Sequence, residues 1–266
     1  MMWLRHAHKK NLTGMRIIAV MNQKGGVGKT TTTLNLSHAL AMSGKQVTVI
    51  DMDPQAQLTM SFGVEQEGNP GVAGAMLSGT PISETIVNVK DGLDVVPAGL
   101  RLGEMETLTR GGGKRGWLLK EAINQDLKSD FVLLDCPPSA GMLGMNALFA
   151  ADEILIPVSG DYLGLHGVSR LFAILKHIEK ALNVNKRKWL LVTRYNERRK
   201  LAKDVLSKIE EYFPQQLLNT KIRETVALAE SPSFGKSIFD YQKRSKGAED
   251  YLALAFEFLE GKAKLS

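Results

Sequence analysis

Residues Met21 to Thr33 read MNQKGGVGKTTTT. The preceding residues, Arg16 to Met21 (RIIAVM), are short, apolar and β-branched, the composition of a strand buried on both faces. In the residues that follow, Lys29 to Met42, Leu36, Ala39 and Leu40 recur at helical spacing, and Gly44 supplies a stop. The quoted stretch is therefore a glycine turn joining a strand to a helix. Consecutive glycines let backbone N–H groups converge on phosphate oxygens, where a Cβ would block the approach. The helix start adds its partial positive charge. Lys29 is spaced to reach terminal phosphates, and the Thr30 hydroxyl to ligate Mg²⁺. Gly25, Gly26, Val27, Gly28 and Thr31 complete the expected cradle. One lysine suffices for the phosphates, yet Lys24 supplies a second.

Working outward, the strand pattern returns in QVTVID (Gln46 to Asp51), LDVVPA (Leu93 to Ala98), FVLLDCPP (from Phe131), EILIPV (Glu153 to Val158) and KWLLVTRYN (from Lys188). Helical stretches fall between and after them: Trp117 to Leu127, Gly144 to Ala151, Val168 to Leu182, Leu201 to Phe213 and Ala248 to Leu259. Strands alternating with helices predict right-handed βαβ units. The expected fold is α/β, a doubly wound, mostly parallel sheet flanked by helices, of the P-loop type. No internal repeat or low-complexity linker divides the chain, and GGGKRG (Gly111 to Gly116) is too short to do so. The expected organisation is a flexible extension, 1–14, before a single P-loop domain, 15–266. Met15 is a candidate alternative start.

Bulk composition narrows the function classes. The chain has 266 residues, 44% of them hydrophobic, enough for one sizeable core. Its one cysteine, Cys136, allows no intrachain disulfide and no cysteine-rich metal site, which fits a reducing cytoplasm. No run approaches the ~18 apolar residues of a membrane span. The net charge of +6 fits contact with nucleic acid or an anionic membrane.

KGGVGKTTTTLNL resembles the deviant Walker A motif of the ParA/MinD ATPases. DMDPQAQLT (Asp51 to Thr59) resembles that family's switch I, and LLDCPPS (Leu133 to Ser139) its Walker B strand and switch II. The likeness continues through PVSGDYLGLHGVSRL and ALAESPSFGKSIFDYQKRSKGAEDYLALA, and is strongest to the short ParA/Soj type. The resemblance implies ATP and Mg²⁺ as cofactors. It also implies an ATP-dependent homodimer in which Lys24 crosses to the partner's nucleotide, slow hydrolysis, and a ParB-like or cargo-adaptor protein that stimulates it.

Asp135 ends an apolar strand at the carboxyl edge, where α/β sheets bind ligands, and can hold the Mg²⁺ shell. Asp51 also ends a strand and is a candidate to share that task. Asp53 lies two residues further on, in a loop; the resemblance assigns it the water-positioning role. Lys24, Lys29 and Asp53 are thus the candidate catalytic residues. Pro54, Pro137 and Pro138 would stiffen loops that respond to the γ-phosphate. For adenine, the family's use of late loops points to Asn196 and to Pro232 through Phe234.

Basic residues cluster at Lys186, Arg187, Lys188, Arg194, Arg198, Arg199, Lys200 and Lys203, and again at Arg223, Lys236, Lys243, Arg244 and Lys246. On one face they would form a strip for phosphate contacts. The family's use of C-terminal basic residues makes nonspecific DNA the expected partner, with Arg194, Arg198, Arg199, Lys200, Arg223, Lys243 and Arg244 as candidates. Ala227 stands where Soj-type members often carry a second arginine. The implied function is chromosome or plasmid partitioning, or positioning of a protein cargo, in the cytoplasm at the nucleoid. The first rival is a MinD-like membrane switch. It needs a basic amphipathic C-terminal helix, whereas EDYLALAFEFLEGKAKLS carries Glu249, Asp250, Glu257 and Glu260. Stable membrane binding is therefore not expected. An iron–sulfur reductase needs more cysteines than Cys136, and a synthetase of this fold needs a substrate site that no motif supplies.

Overall fold

The computed structural model describes residues 14–107, 112–139, 141–160 and 163–260. Nearly all of the expected N-terminal extension lies outside these residues. Eight strands form one sheet: β1 (Arg16–Val20), β2 (Val47–Asp51), β3 (Val87–Lys90), β4 (Leu93–Val96), β5 (Phe131–Asp135), β6 (Glu153–Ser159), β7 (Arg187–Tyr195) and β8 (Leu217–Arg223). Their spatial order is β3-β4-β2-β5-β1-β6-β7-β8. All neighbours run parallel except β3, which is antiparallel to β4. The helices are α1 (Lys29–Met42), α2 (Gln57–Ser61), α3 (Gly71–Ser78), α4 (Glu104–Thr107), α5 (Leu118–Asp126), α6 (Met142–Ala150), α7 (Leu163–Leu182), α8 (Lys200–Tyr212), α9 (Val226–Glu230), α10 (Ile238–Tyr241) and α11 (Lys246–Glu260).

The apolar strands are buried on both faces, and their alternation divides the core. Ile18, Val20, Val49 and Leu133 meet Leu36 and Leu40 of α1 and Tyr251 and Leu254 of α11. Ile17, Ala19, Ile50 and Leu134 point the other way, onto Val72 of α3, Ile123 of α5 and Leu143 of α6. Ile154, Ile156 and Val158 of β6 pack on Leu171 and Leu175 of α7 and Ile209 of α8. Each such buried side chain contributes about 1.5–3 kcal/mol relative to exposure. Helix α1 is buried along most of its length, so its polar residues find internal partners. Asn35 donates to the Thr31 carbonyl at 2.8 Å and accepts from the Ile238 N–H at 2.7 Å.

Two strands escaped the apolar-run pattern, and both lie at sheet edges. β3 (VNVK) forms a hairpin with β4 through Asp91 and Gly92, and none of its residues is fully buried. β8 (LLNTKIR) carries polar residues at its centre because, among the described residues, one side has no neighbouring strand. α7 begins at Leu163, five residues before the expected start, and α6 begins at Met142 rather than Gly144. The α6 start has a specific cause. The Glu106 carboxylate accepts from the Met142 N–H at 2.8 Å and from the Leu143 N–H at 3.3 Å, capping the helix from a distant segment.

The crossing behind β4 depends on glycine. Gly99 has φ +77°, and a Cβ there would collide with the Pro70 carbonyl. Gly79, at the end of α3, has φ +72° but open space around the Cβ position. Gly79→Ala should therefore cost about 1–2 kcal/mol from backbone strain alone. Gly99→Ala should cost at least about 2 kcal/mol more, because the clash adds to the strain. Urea denaturation of the two variants tests this; equal midpoints would refute the crossing argument.

Candidate functional site

Strand register builds the site. β1, β2 and β5 are neighbours, so Val20 aligns with Asp135 and Asp135 with Asp51 at the carboxyl edge of the sheet. The chain leaves β1 directly into the glycine turn and enters α1 at Lys29. Gly26 and Gly28 have φ +71° and +87°, and the Cβ positions of Gly25 and Gly26 face open space. No side chain caps α1, and its first turn carries no acidic residue, so its leading N–H groups are left for a ligand.

Two further contacts, with no motif to announce them, hold this turn. Asn22, buried below it, donates to the Pro157 carbonyl at 2.8 Å and accepts from the Lys24 N–H at 3.1 Å. Thr193, at the end of β7, donates to the Val27 carbonyl at 2.8 Å. Lys29 is buried and reaches back to the Lys24 carbonyl at 3.4 Å. Burial lowers its pKa, opposed chiefly by the charge of Asp135.

Asp135 accepts from the Thr30 hydroxyl at 2.8 Å and from Thr33 at 3.2 Å. Asp51 is differently engaged: one oxygen accepts from the N–H and hydroxyl of Thr59, at 2.9 and 2.7 Å, and the other from the Asp53 N–H at 3.1 Å. Asp51 therefore stands beside Asp135 but anchors the 53–59 turn. Burial raises the pKa of both carboxyls, and for each a neighbouring carboxylate, Asp51 for Asp135 and Asp53 for Asp51, adds to the rise. Two carboxylates so disfavoured as anions form a site short of positive charge. Among the described residues no group of three or more His, Cys, Asp or Glu could hold a metal ion. An ion beside Thr30 and Asp135 would complete its shell with water and ligand oxygens, as Mg²⁺ does.

The glycine turn opens into a cleft of about 750 Å³. Gly25, Gly26, Gly28, Lys29, Thr30 and Thr31 line one end with Asp53, Pro54, Pro137 and Pro138; Ile222, Thr225, Leu228, Ala229 and Tyr251 contribute further wall. Asp53 faces the cleft from an Asx turn, accepting from the Gln55 N–H at 3.0 Å. The expected adenine contacts do not line the cleft. Asn196 instead closes its own turn, accepting from the Arg198 N–H at 3.0 Å, and Pro232 opens a short 3₁₀ helix, Ser231–Phe234. Another part of the cleft wall is supplied by β8 and α9. A polar edge strand and a five-residue helix gave sequence reasoning little to find there.

The basic residues do not act as one strip. Arg198, Arg199, Lys200 and Lys203 are exposed where β7 passes into α8, and Lys243, Arg244 and Lys246 are exposed just before and at the start of α11. Lys186 is buried against the Ala151 carbonyl, with a pKa lowered by burial to about 8. Lys188 pairs with Glu179 at 2.7 Å. Arg223 is held by Asp250 at 2.6 Å and Glu249 at 3.1 Å. Arg194 turns into the cleft, pairing with Glu224 at 3.0 Å. The acidic residues of the last helix are partly structural as well: Glu257 accepts from the N–H groups of Asn219 and Thr220, at 2.6 and 3.0 Å. Cys136 is buried in the core, and burial pushes its thiol pKa far up.

A family model described as an AAA domain matches residues 15–187. The chain is 41% identical over 246 residues to the chromosome-partitioning ATPase Soj of Thermus thermophilus, covering 92% of this chain and 96% of the relative. It is 38% identical over 248 residues to the sporulation initiation inhibitor protein Soj of Bacillus subtilis, covering 91% and 97%. It is 37% identical over 249 residues to the chromosome partitioning protein ParA of Myxococcus xanthus, covering 92% and 88%. Among solved structures, a cobyrinic acid a,c-diamide synthase from Mycobacterium smegmatis with ADP and magnesium superimposes with TM-score 0.78 at 30% identity, covering 92% and 94%. A variant McdA–ATP complex from Cyanothece shares the fold, with TM-score 0.81 at 20% identity, covering 96% and 99%. The sheet order, the glycine turn against Asp135 and these relatives lead to one conclusion: the chain belongs to the ParA/Soj family of partitioning ATPases.

Proposed function

We propose that this protein is an ATP-driven switch: it binds ATP with Mg²⁺, dimerises, holds nonspecific DNA, and is released by slow, partner-stimulated hydrolysis. The observation that carries the reading is the Thr30–Asp135 pair, at 2.8 Å, at the foot of an open glycine turn that also presents Lys29. The ADP and magnesium bound to the 30%-identical synthase support the same ligand chemistry here. Thr30 and Asp135 would hold Mg²⁺, which neutralises charge on the β- and γ-phosphates when bound. The backbone of residues 25–31 and Lys29 bind and orient the polyphosphate. Asp53, carried on a loop tied to Asp51, orients the attacking water. Asp51 keeps that loop in register. Lys24, at the start of the turn, serves the partner subunit's nucleotide, so dimerisation completes the site.

The exposed residues Arg198, Arg199 and Lys200, with Lys243 and Arg244, supply the DNA contacts. No recognition helix is evident, so these contacts read phosphates rather than bases. The unit proposed is a single ATPase domain, 15–266, after a short extension, working in the cytoplasm at the nucleoid. Its partner is a ParB-like or cargo-adaptor protein, and the cargo is a chromosome, a plasmid or a protein assembly. No described helix is long and apolar enough to cross a membrane, and the engagement of Asp250 and Glu257 with β8 argues against a membrane-binding last helix.

Asp53→Ala should lower steady-state ATP turnover roughly 100-fold or more while leaving ATP binding intact, so that ATP-bound dimer accumulates. Wild-type turnover in this variant would remove Asp53 from the mechanism. Lys24→Ala should abolish the ATP-dependent dimer in sedimentation velocity without a matching loss of monomer nucleotide affinity; a normal ATP dimer would show that the second lysine has another use. Replacing Arg198, Arg199 and Lys200 together by alanine should flatten the dependence of log affinity for duplex DNA on log salt. The slope should shrink by about 0.9 for each DNA phosphate these side chains neutralise, and by about 3 if all three do so. An unchanged slope would move the DNA surface elsewhere.

A further inference from the structure

We infer that Arg194 is a nucleotide-binding residue, whose guanidinium contacts the polyphosphate at the outer wall of the cleft, with Glu224 as the counter-ion it exchanges for phosphate. This rests on the nucleotide reading of the cleft and removes Arg194 from the DNA surface. Three independent features support it.

The first is backbone. Arg194 has φ +50°, a left-handed conformation that costs a non-glycine residue about 1–2 kcal/mol. The register between β7 and β8 shifts between Val192 and Tyr195, an irregularity of the kind that re-aims a side chain beside an active site. Regular alternation would send Arg194 away from Thr193, whose hydroxyl already bonds the glycine turn at Val27. The left-handed residue instead brings the guanidinium to 3.5 Å from the Gly26 carbonyl.

The second is charge. Glu224 lines the same cleft and would repel an entering phosphate. Arg194 and Arg199 pair with its two oxygens, at 3.0 and 3.4 Å. The side chains of Arg194 and Glu224 are 59% and 30% exposed, so their pair is weak and exchange for phosphate is cheap. The third is geometry: a guanidinium presents five N–H donors in a fixed fork that matches phosphate oxygens. One long contact, to the Gly26 carbonyl at 3.5 Å, joins it to the glycine turn.

The experiment uses the full chain, with Mg·ADP and a Mg·non-hydrolysable ATP analogue as titrants in calorimetry, beside duplex DNA binding and thermal melting. Arg194→Gly relieves the left-handed strain, so its melting temperature should equal or exceed that of the parent. Its affinity for both nucleotides should nevertheless fall roughly tenfold or more, the effect of one charge-assisted hydrogen bond. Opposite changes in stability and affinity separate a ligand contact from a structural role. Arg194→Lys should retain part of the affinity, and Glu224→Gln should tighten nucleotide binding. Unchanged nucleotide affinity in Arg194→Gly, with weaker DNA binding instead, would overturn the inference and return Arg194 to the DNA surface. Weaker nucleotide binding in Glu224→Gln would overturn the counter-ion role. A parent protein that bound neither nucleotide would overturn the cleft reading itself, and this inference with it.

Discussion

Two carboxylates lie side by side at the ends of neighbouring buried strands, and much of the molecule serves to keep them there. Asp51 and Asp135 are register partners, both inaccessible to solvent, and each is destabilised as an anion by burial. The fold resolves the conflict by dividing their work. Asp135 takes hydroxyls from the first turn of α1, which turns the helix start and the strand end into one site. Asp51 takes Thr59 and the Asp53 N–H, which ties the 53–59 turn to the sheet. One pair of strands thus positions both the metal-binding edge and the loop expected to sense the terminal phosphate.

Much of this was legible in sequence where the signal was apolar and local. RIIAVM, QVTVID and FVLLDCPP announce central strands because both of their faces are buried. The edge strands were not legible, since VNVK and LLNTKIR each meet solvent on one side and mix polar with apolar residues. The same division holds for the site. The meeting of Thr30 with Asp135 was readable because one follows a glycine turn and the other ends an apolar strand. Asn22 and Thr193, which tie the glycine turn to β6 and β7, were not, because a single buried amide or hydroxyl has no pattern. Asn196 follows a strand, but its Oδ1 closes a local turn and the residue does not line the cleft, a placement that position in sequence does not show.

Charge was the least legible quantity. The basic segment from Lys186 to Lys203 reads as one run, yet its members meet different fates: burial against a carbonyl, pairing with Glu179, entry into the cleft, or exposure to solvent. A composition counts cations without their partners, and those partners are supplied by segments tens of residues away. Exposed arginines remain at the β7–α8 turn and before α11, both at the carboxyl edge of the sheet, where the nucleotide cleft also opens.

The packing of the last helix on the first has a consequence for the order of assembly. Tyr251 of α11 is buried within 3.3 Å of the Thr32 hydroxyl and walls the cleft, and Arg16 in β1 donates to the Phe258 carbonyl across 242 residues of chain. Such long-range closure is slow, because the entropy of the intervening loop must be lost before the contact rewards it. During synthesis the glycine turn and α1 are made before α11, the helix that packs on them. The wall that Tyr251 gives the cleft therefore cannot form until α11 has been made and has docked on α1, so the glycine turn alone is not the finished cleft.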